Sequence, residues 1–161
     1  MLHWRKAFRS TVHVLDEDHI LLFQLFNHIE SLGNLKREGD LAEVNRSIDT
    51  LLEYALSHCA REEQTMREAG YPAAELHAHK HLCMRECFIE VLRPLTAGEI
   101  TLPTFVRLVR GQFIKHFMRE DFLFVKWAQT HPVHPALRVP RGVRRPAIPW
   151  PGPEHRRRLA L

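Results

Sequence analysis

His58 to Met66, HCAREEQTM, lies within an otherwise apolar helical pattern. Steps of three and four residues trace Val44, Ile48, Leu51, Ala55, His58, Glu62 and Met66. Such a stripe marks the buried face of an amphipathic helix. Core positions ordinarily carry Leu or Val, yet this face turns a histidine and a glutamate inward, one turn apart. The fold follows from asking what else meets them.

The helix opens at Asp40, with Glu43 three residues on as in a capping box, and runs to about Ala69. Gly70 and Pro72 end it and start the next. Upstream, residues 1–15 read as an extended arm with Trp4, Phe8, Val12 and Val14. A first helix then spans about 17–32, with Leu22, Phe23, Phe26 and Ile29 on one face, and is broken by Gly33, Asn34 and Gly39. The third helix carries Leu76, His77, His81, Met84, Phe88, Val91 and Leu95, and Pro94 is expected to kink it or end it near Arg93. The fourth begins at Pro103 and closes near Thr130, with Phe105, Leu108, Val109, Phe113, Phe117, Leu123, Phe124 and Trp127 on a wide apolar surface. Strand patterns are absent over any useful length. The expected fold is all-α, an antiparallel up-down-up-down four-helix bundle with an N-terminal arm, occupying residues 1–131. Residues 132–161 hold seven of the ten prolines and read as an extended or disordered tail.

A chain of 161 residues suits one domain with a substantial core. Its net charge of +4 is unevenly spread: seven arginines against Glu154 give residues 132–161 a net +6, leaving the rest near −2. A mildly acidic bundle argues against a nucleic-acid-binding face. The tail arginines and Trp150 fit a protein partner or an anionic surface. Cys59, Cys83 and Cys87 make an odd set without secretory context, which points to reduced thiols and a cytoplasmic protein. The N-terminus has no signal-peptide pattern, and no run approaches the roughly 18 apolar residues of a membrane span.

Twelve histidines are more than ordinary usage, and several fall on inward faces. The first helix offers His19, the second His58 and Glu62, the third His77 and His81, the fourth His116 followed by Glu120 and Asp121. Residues four apart share a face and can converge on one point. Five imidazoles and two carboxylates buried without compensation would each cost several kcal/mol, and a metal site removes that penalty. Imidazole mixed with carboxylate, without thiolate, suits iron or zinc, less often manganese or copper. Seven donors are too many for one ion; with two ions and two bridging carboxylates, a three-plus-two split of histidines leaves one ion open.

The pattern resembles the hemerythrin family, in particular its single-domain bacterial forms. The matching residues are Trp4; Asp16-x-x-His19 with Phe23; His58-x-x-x-Glu62-Glu63 with Met66; Tyr71-Pro72; His77-x-x-x-His81; and His116-x-x-x-x-Asp121. The resemblance covers about residues 1–130. It implies two iron ions, one held by His77, His81 and His116, the other by His19 and His58, bridged by Glu62, Asp121 and a hydroxide. It further implies reversible dioxygen binding at the open iron, for carriage, storage or sensing, and no enzymatic role. Spacing alone would pick Glu120, at i+4 from His116; the family pattern takes Asp121, at i+5. The chain departs from the family where Cys59 stands for a common Phe, Phe117 for Ile and Phe113 for Trp, all on the expected oxygen-pocket wall.

The competing reading is a diiron oxidase or peroxidase-like enzyme. Ferritin-like oxidases use Glu-x-x-His pairs on two helices, which this chain lacks. A zinc hydrolase would want His-Glu-x-x-His, also missing. His3, His13, His28, His79 and His131 read as surface or capping groups, Glu63 as solvated or hydrogen-bonded to a ligand imidazole, and Asp16 as a cap on the first helix more than as a group orienting a ligand imidazole.

Overall fold

A computed structural model describes residues 13–33 and 40–131. The expected arm through residue 12 and the tail from residue 132 lie outside the described residues. Helix α1 is His13–Leu32, α2 is Asp40–Ala69 and α3 is Ala74–Thr96. The fourth rod is composite: α4, Leu102–His116, runs into a π-helical turn, Phe117–Asp121, and on into α5, Phe122–Thr130. Each rod packs on the next and α4 closes back on α1. The result is the all-α four-helix bundle, and no strand occurs among the described residues.

The core splits into two clusters, above and below the polar side chains. Leu22, Phe26, Ile29, Leu51, Phe88 and Phe105 lead the larger one. Leu15, Met66, Ala74, Phe124 and Ala128 form the smaller one. Leu15 corrects the expected boundary of the first helix. The stripe Leu15, His19, Leu22, Phe26, Ile29 keeps helical spacing back to residue 15, so helix replaces arm over 13–15. The run Asp16-Glu17-Asp18 hid this continuation in the sequence.

Two turns explain the remaining boundaries. Gly70, at φ 72°, ends α2 in the left-handed region that an L side chain resists. Its N–H donates to the Arg67 carbonyl at 3.0 Å, and that of Tyr71 to the Met66 carbonyl at 2.9 Å, the paired bonds of a Schellman motif. Pro72 lies in the turn itself, two residues ahead of α3. Pro94 does not end α3 at Arg93; the helix runs on to Thr96. Pro94 sits in the last turn, where its carbonyl is taken by the N–H groups of Glu99 (2.8 Å) and Ile100 (3.3 Å). Thr101 caps α4 by accepting from the Thr104 N–H at 3.4 Å, with Pro103 in the first turn as expected.

The π turn was not anticipated. It adds one residue to the turn and rotates everything after it by roughly 100° relative to a straight α-helix. That is why Leu123, expected on the apolar face, is 53% exposed while Phe124 and Ala128 point inward. Leu76 also falls outside the core, at 61% exposed, because His77 and His81 define the inner face of α3.

Phe105 is fully buried with its ring 5.6 Å from Phe88. Phe105→Ala should lower unfolding free energy by about 3–5 kcal/mol in urea titrations. Because Phe105 stands about three helical turns before His116 along α4, metal content should stay at the wild-type value.

Candidate metal centre

All seven side chains singled out in the sequence meet in the middle of the bundle, each less than a tenth exposed. They form two overlapping groups whose donor atoms lie within 4.8 Å of one another. One contains Glu62, His77, His81, His116 and Asp121; the other contains His19, His58, Glu62 and Asp121. Both groups share the two carboxylates.

The geometry around each carboxylate is two-sided. Asp121 Oδ1 lies 2.9 Å from His116 Nε2 and 3.6 Å from His77 Nε2, whereas Oδ2 lies 3.2 Å from His19 Nε2. Glu62 Oε2 lies 3.2 Å from His77 Nε2, 3.4 Å from His81 Nε2 and 3.7 Å from His58 Nε2. The π turn is what brings Asp121 here. With the wider turn, the residue five after His116 returns to the same face, and Asp121 is 2% exposed. Glu120 instead points to the side and pairs with Lys80 Nζ at 2.7 Å.

These residues fit a metal pair. His77 Nε2 faces His81 Nε2 at 3.1 Å and His116 Nε2 at 3.3 Å. Three imidazole nitrogens aimed at one another cannot all be satisfied by each other. Two ligands about 2.1 Å from one ion lie about 3.0 Å apart at a right angle and about 3.4 Å apart at the tetrahedral angle, which brackets these separations. Glu62 Oε1 and both carboxylate oxygens of Asp121 are buried without a hydrogen bond of acceptable geometry. Buried carboxylates left this way are costly unless a cation meets them.

The electrostatics point the same way. Burial pushes the pKa of both carboxyl groups up, and repulsion from Asp121 adds to this at Glu62. The facing imidazoles of His77 and His81 outweigh both effects and hold Glu62 down to about 2. Asp121 is held well below the usual carboxylate range, burial being outweighed by His116 and His19. His81 is pushed up to about 11: burial opposes, but Cys59 and Glu62 beside it prevail. Burial pushes His58 down.

Two carboxylates face outer ring nitrogens. Glu63 Oε1 lies 2.9 Å from His81 Nδ1, the hydrogen-bonding alternative expected for it, and Arg67 steadies its other oxygen at 3.4 Å. The second, Asp18, was missed by sequence reasoning. It is 3% exposed, accepts from the Tyr54 hydroxyl at 2.6 Å and Arg61 Nε at 2.8 Å, and faces His58 Nδ1 at 3.5 Å. Its carboxyl is held well below the usual range; burial opposes, and His58, Arg61 and Tyr54 win. Its partners lie 36 to 43 residues away in the chain, so no local spacing marks it.

Asp16 does not cap α1, because the helix begins three residues earlier; burial pushes the His19 pKa down, and Asp121 outweighs it with smaller help from Glu62 and Asp16. His131 does cap α5, with Nδ1 2.9 Å from the Trp127 carbonyl. His79 is exposed, 3.8 Å from Cys83 Sγ. All three cysteines are free thiols, and burial pushes the Cys59 thiol up, away from thiolate. On the side of His19 and His58 the wall is aromatic: the Phe117 ring centroid is 4.5 Å from that of His19, and Phe113 stands 6.0 Å away.

Comparison with known proteins agrees with this construction. The chain matches the family model of the hemerythrin HHE cation binding domain over residues 10–128. It is 24% identical over 131 residues to the bacteriohemerythrin of Stenotrophomonas maltophilia, covering 81% of this chain and 84% of that protein. To the bacteriohemerythrin of Methylococcus capsulatus it is 25% identical over 126 residues, covering 77% and 94%. Among solved structures, a crystal structure of wild-type hemerythrin superposes with a TM-score of 0.68 at 23% identity, over 78% of this chain and 96% of that one. The matched stretch runs through every helix that contributes a donor to the buried cluster, and the chain belongs to the hemerythrin family.

Proposed function

We propose that the chain holds two iron ions and binds dioxygen reversibly. His77, His81 and His116 would hold one ion, His19 and His58 the other, with Glu62 and Asp121 shared between the two. The observation that carries this reading is that two donor groups share both carboxylates but divide the histidines three to two. The side with fewer imidazoles would leave room for a small ligand. When bound, a ferrous pair would supply the two electrons that reversible dioxygen binding needs.

The chain's own residues set the conditions. Phe113 and Phe117 pack against His19 and exclude water from the open side. Asp18, clamped by Tyr54 and Arg61, faces the outer nitrogen of His58 and holds its proton there, leaving Nε2 as the donor. Glu63 does the same for His81. Five imidazoles and no Glu-x-x-His pair favour a binding protein over an oxidase. No helix among the described residues is long and apolar enough to cross a membrane. We place the protein in the cytoplasm on its free thiols.

Metal analysis with a visible spectrum taken before and after aeration tests the reading. Two irons per chain and a ligand-to-iron charge-transfer band that forms on aeration and fades on deoxygenation are expected; one zinc and no band would refute it. Stripping the metal should also lower the melting temperature by more than about 10 °C in calorimetry. An ion held about a thousandfold tighter than its free concentration requires contributes about 4 kcal/mol.

Asp18→Asn should weaken binding of one of the two metal equivalents by about ten- to a hundredfold, read by competition with a chromophoric chelator. The other equivalent should keep its wild-type affinity. Unchanged affinity for both would show that Asp18 does not hold His58 for the metal.

A further inference from the structure

Beside the ligand cluster lies an apolar cavity of about 270 Å³, walled by α2, α3 and α4, with Leu22 and Phe26 of α1 among its buried lining. The cavity opens to solvent where Leu56, Leu82 and Arg85 are exposed, and an apolar space of this size with a polar rim suits a small apolar ligand. Its origin is legible in the residues: Ala55, Cys59 and Cys87 put small side chains on the lining of a seam that Leu51 and Phe88 otherwise fill.

We propose that this cavity binds a straight-chain monocarboxylate of fatty-acid type, alkyl chain inside and carboxylate at Arg85. The lining is overwhelmingly hydrocarbon. An apolar cavity of about 150 Å³ takes one benzene, about 25 Å³ per carbon, so this one takes about ten carbons. The chemistry of the rim selects the head group. Arg85 is exposed there and forms no ion pair with a described residue. The acid at the same rim, Glu63, is already engaged by His81 Nδ1 and Arg67. The rim therefore offers an unmatched guanidinium, whose planar fork suits a carboxylate. Leu56 and Leu82, 43% and 45% exposed on facing helices, would cover the first methylenes behind that head group. The inference goes beyond dioxygen binding and does not rest on which metal the neighbouring cluster holds.

Isothermal titration of monomeric dodecanoate into the full-length, metal-loaded protein tests it, with dodecanol and dodecyltrimethylammonium as arms. Saturable binding of one dodecanoate per chain is expected, with a dissociation constant on the order of micromolar. Arg85→Gln should weaken dodecanoate about tenfold and leave dodecanol unchanged. Cys87→Phe, which puts a ring into the space, should remove both; Ala55→Leu serves if that variant fails to fold. Absence of saturable dodecanoate binding overturns the proposal. So does equal affinity for dodecyltrimethylammonium, or undiminished dodecanoate binding in the filled variants. Because the readout is heat of binding rather than dioxygen uptake, its failure is separable from failure of the iron reading.

Discussion

Two carboxylates, Glu62 and Asp121, face each other's neighbourhood in the centre of a helical bundle, almost without access to water. Everything else in the structure answers to that constraint. Buried like charges repel, and each would take up a proton if nothing opposed it. Five imidazoles supplied by all four rods oppose it, which fixes the relative rotation of those rods. The apolar core is consequently cut in two, with Leu22, Phe26 and Phe105 on one side of the polar layer and Leu15, Met66 and Phe124 on the other. Neither cluster alone would specify the rotation of a helix, since leucines and phenylalanines repack readily. The polar layer does so because its donors have direction.

The layer is not symmetric. On the three-histidine side, the outer partner of His81 is Glu63, which is partly exposed and tied to the surface residue Arg67. On the two-histidine side, the outer partner of His58 is Asp18, shielded from solvent and held by a tyrosine and an arginine together. Salt screens the first arrangement far more than the second. The half that the proposed reading assigns to dioxygen is thus the half better shielded from the ionic strength outside.

Much of this is legible in the amino-acid sequence. His58 with Glu62 and His77 with His81 stand at i, i+4 on apolar stripes, a local signal that periodicity exposes. His19 and His116 were readable because each replaces an apolar residue within such a stripe. What escaped was non-local or broke the period. Asp18 gains its meaning from Tyr54 and Arg61 on another helix. Leu15 was obscured by the acidic run that follows it. Spacing by itself favoured Glu120 over Asp121, because a regular α-helix is assumed when counting by fours; the wider turn at Phe117–Asp121 makes five the correct interval. Pro94 was judged by its usual effect inside a helix, whereas its position in the final turn leaves only a short stretch to disturb.

That wider turn has a consequence for how the chain can change over time. Met118 and Arg119 are exposed and contribute nothing to the buried layer, so many side chains could stand at either place. Their number is another matter. Losing one residue between His116 and Asp121 would restore the ordinary helical pitch and bring the aspartate to i+4, and Phe124 and Ala128, at fixed steps beyond it, would keep their faces. The segment is therefore permissive in composition and can give up that one residue, whereas a further deletion would turn the aspartate, Phe124 and Ala128 together by about 100° off the inner face.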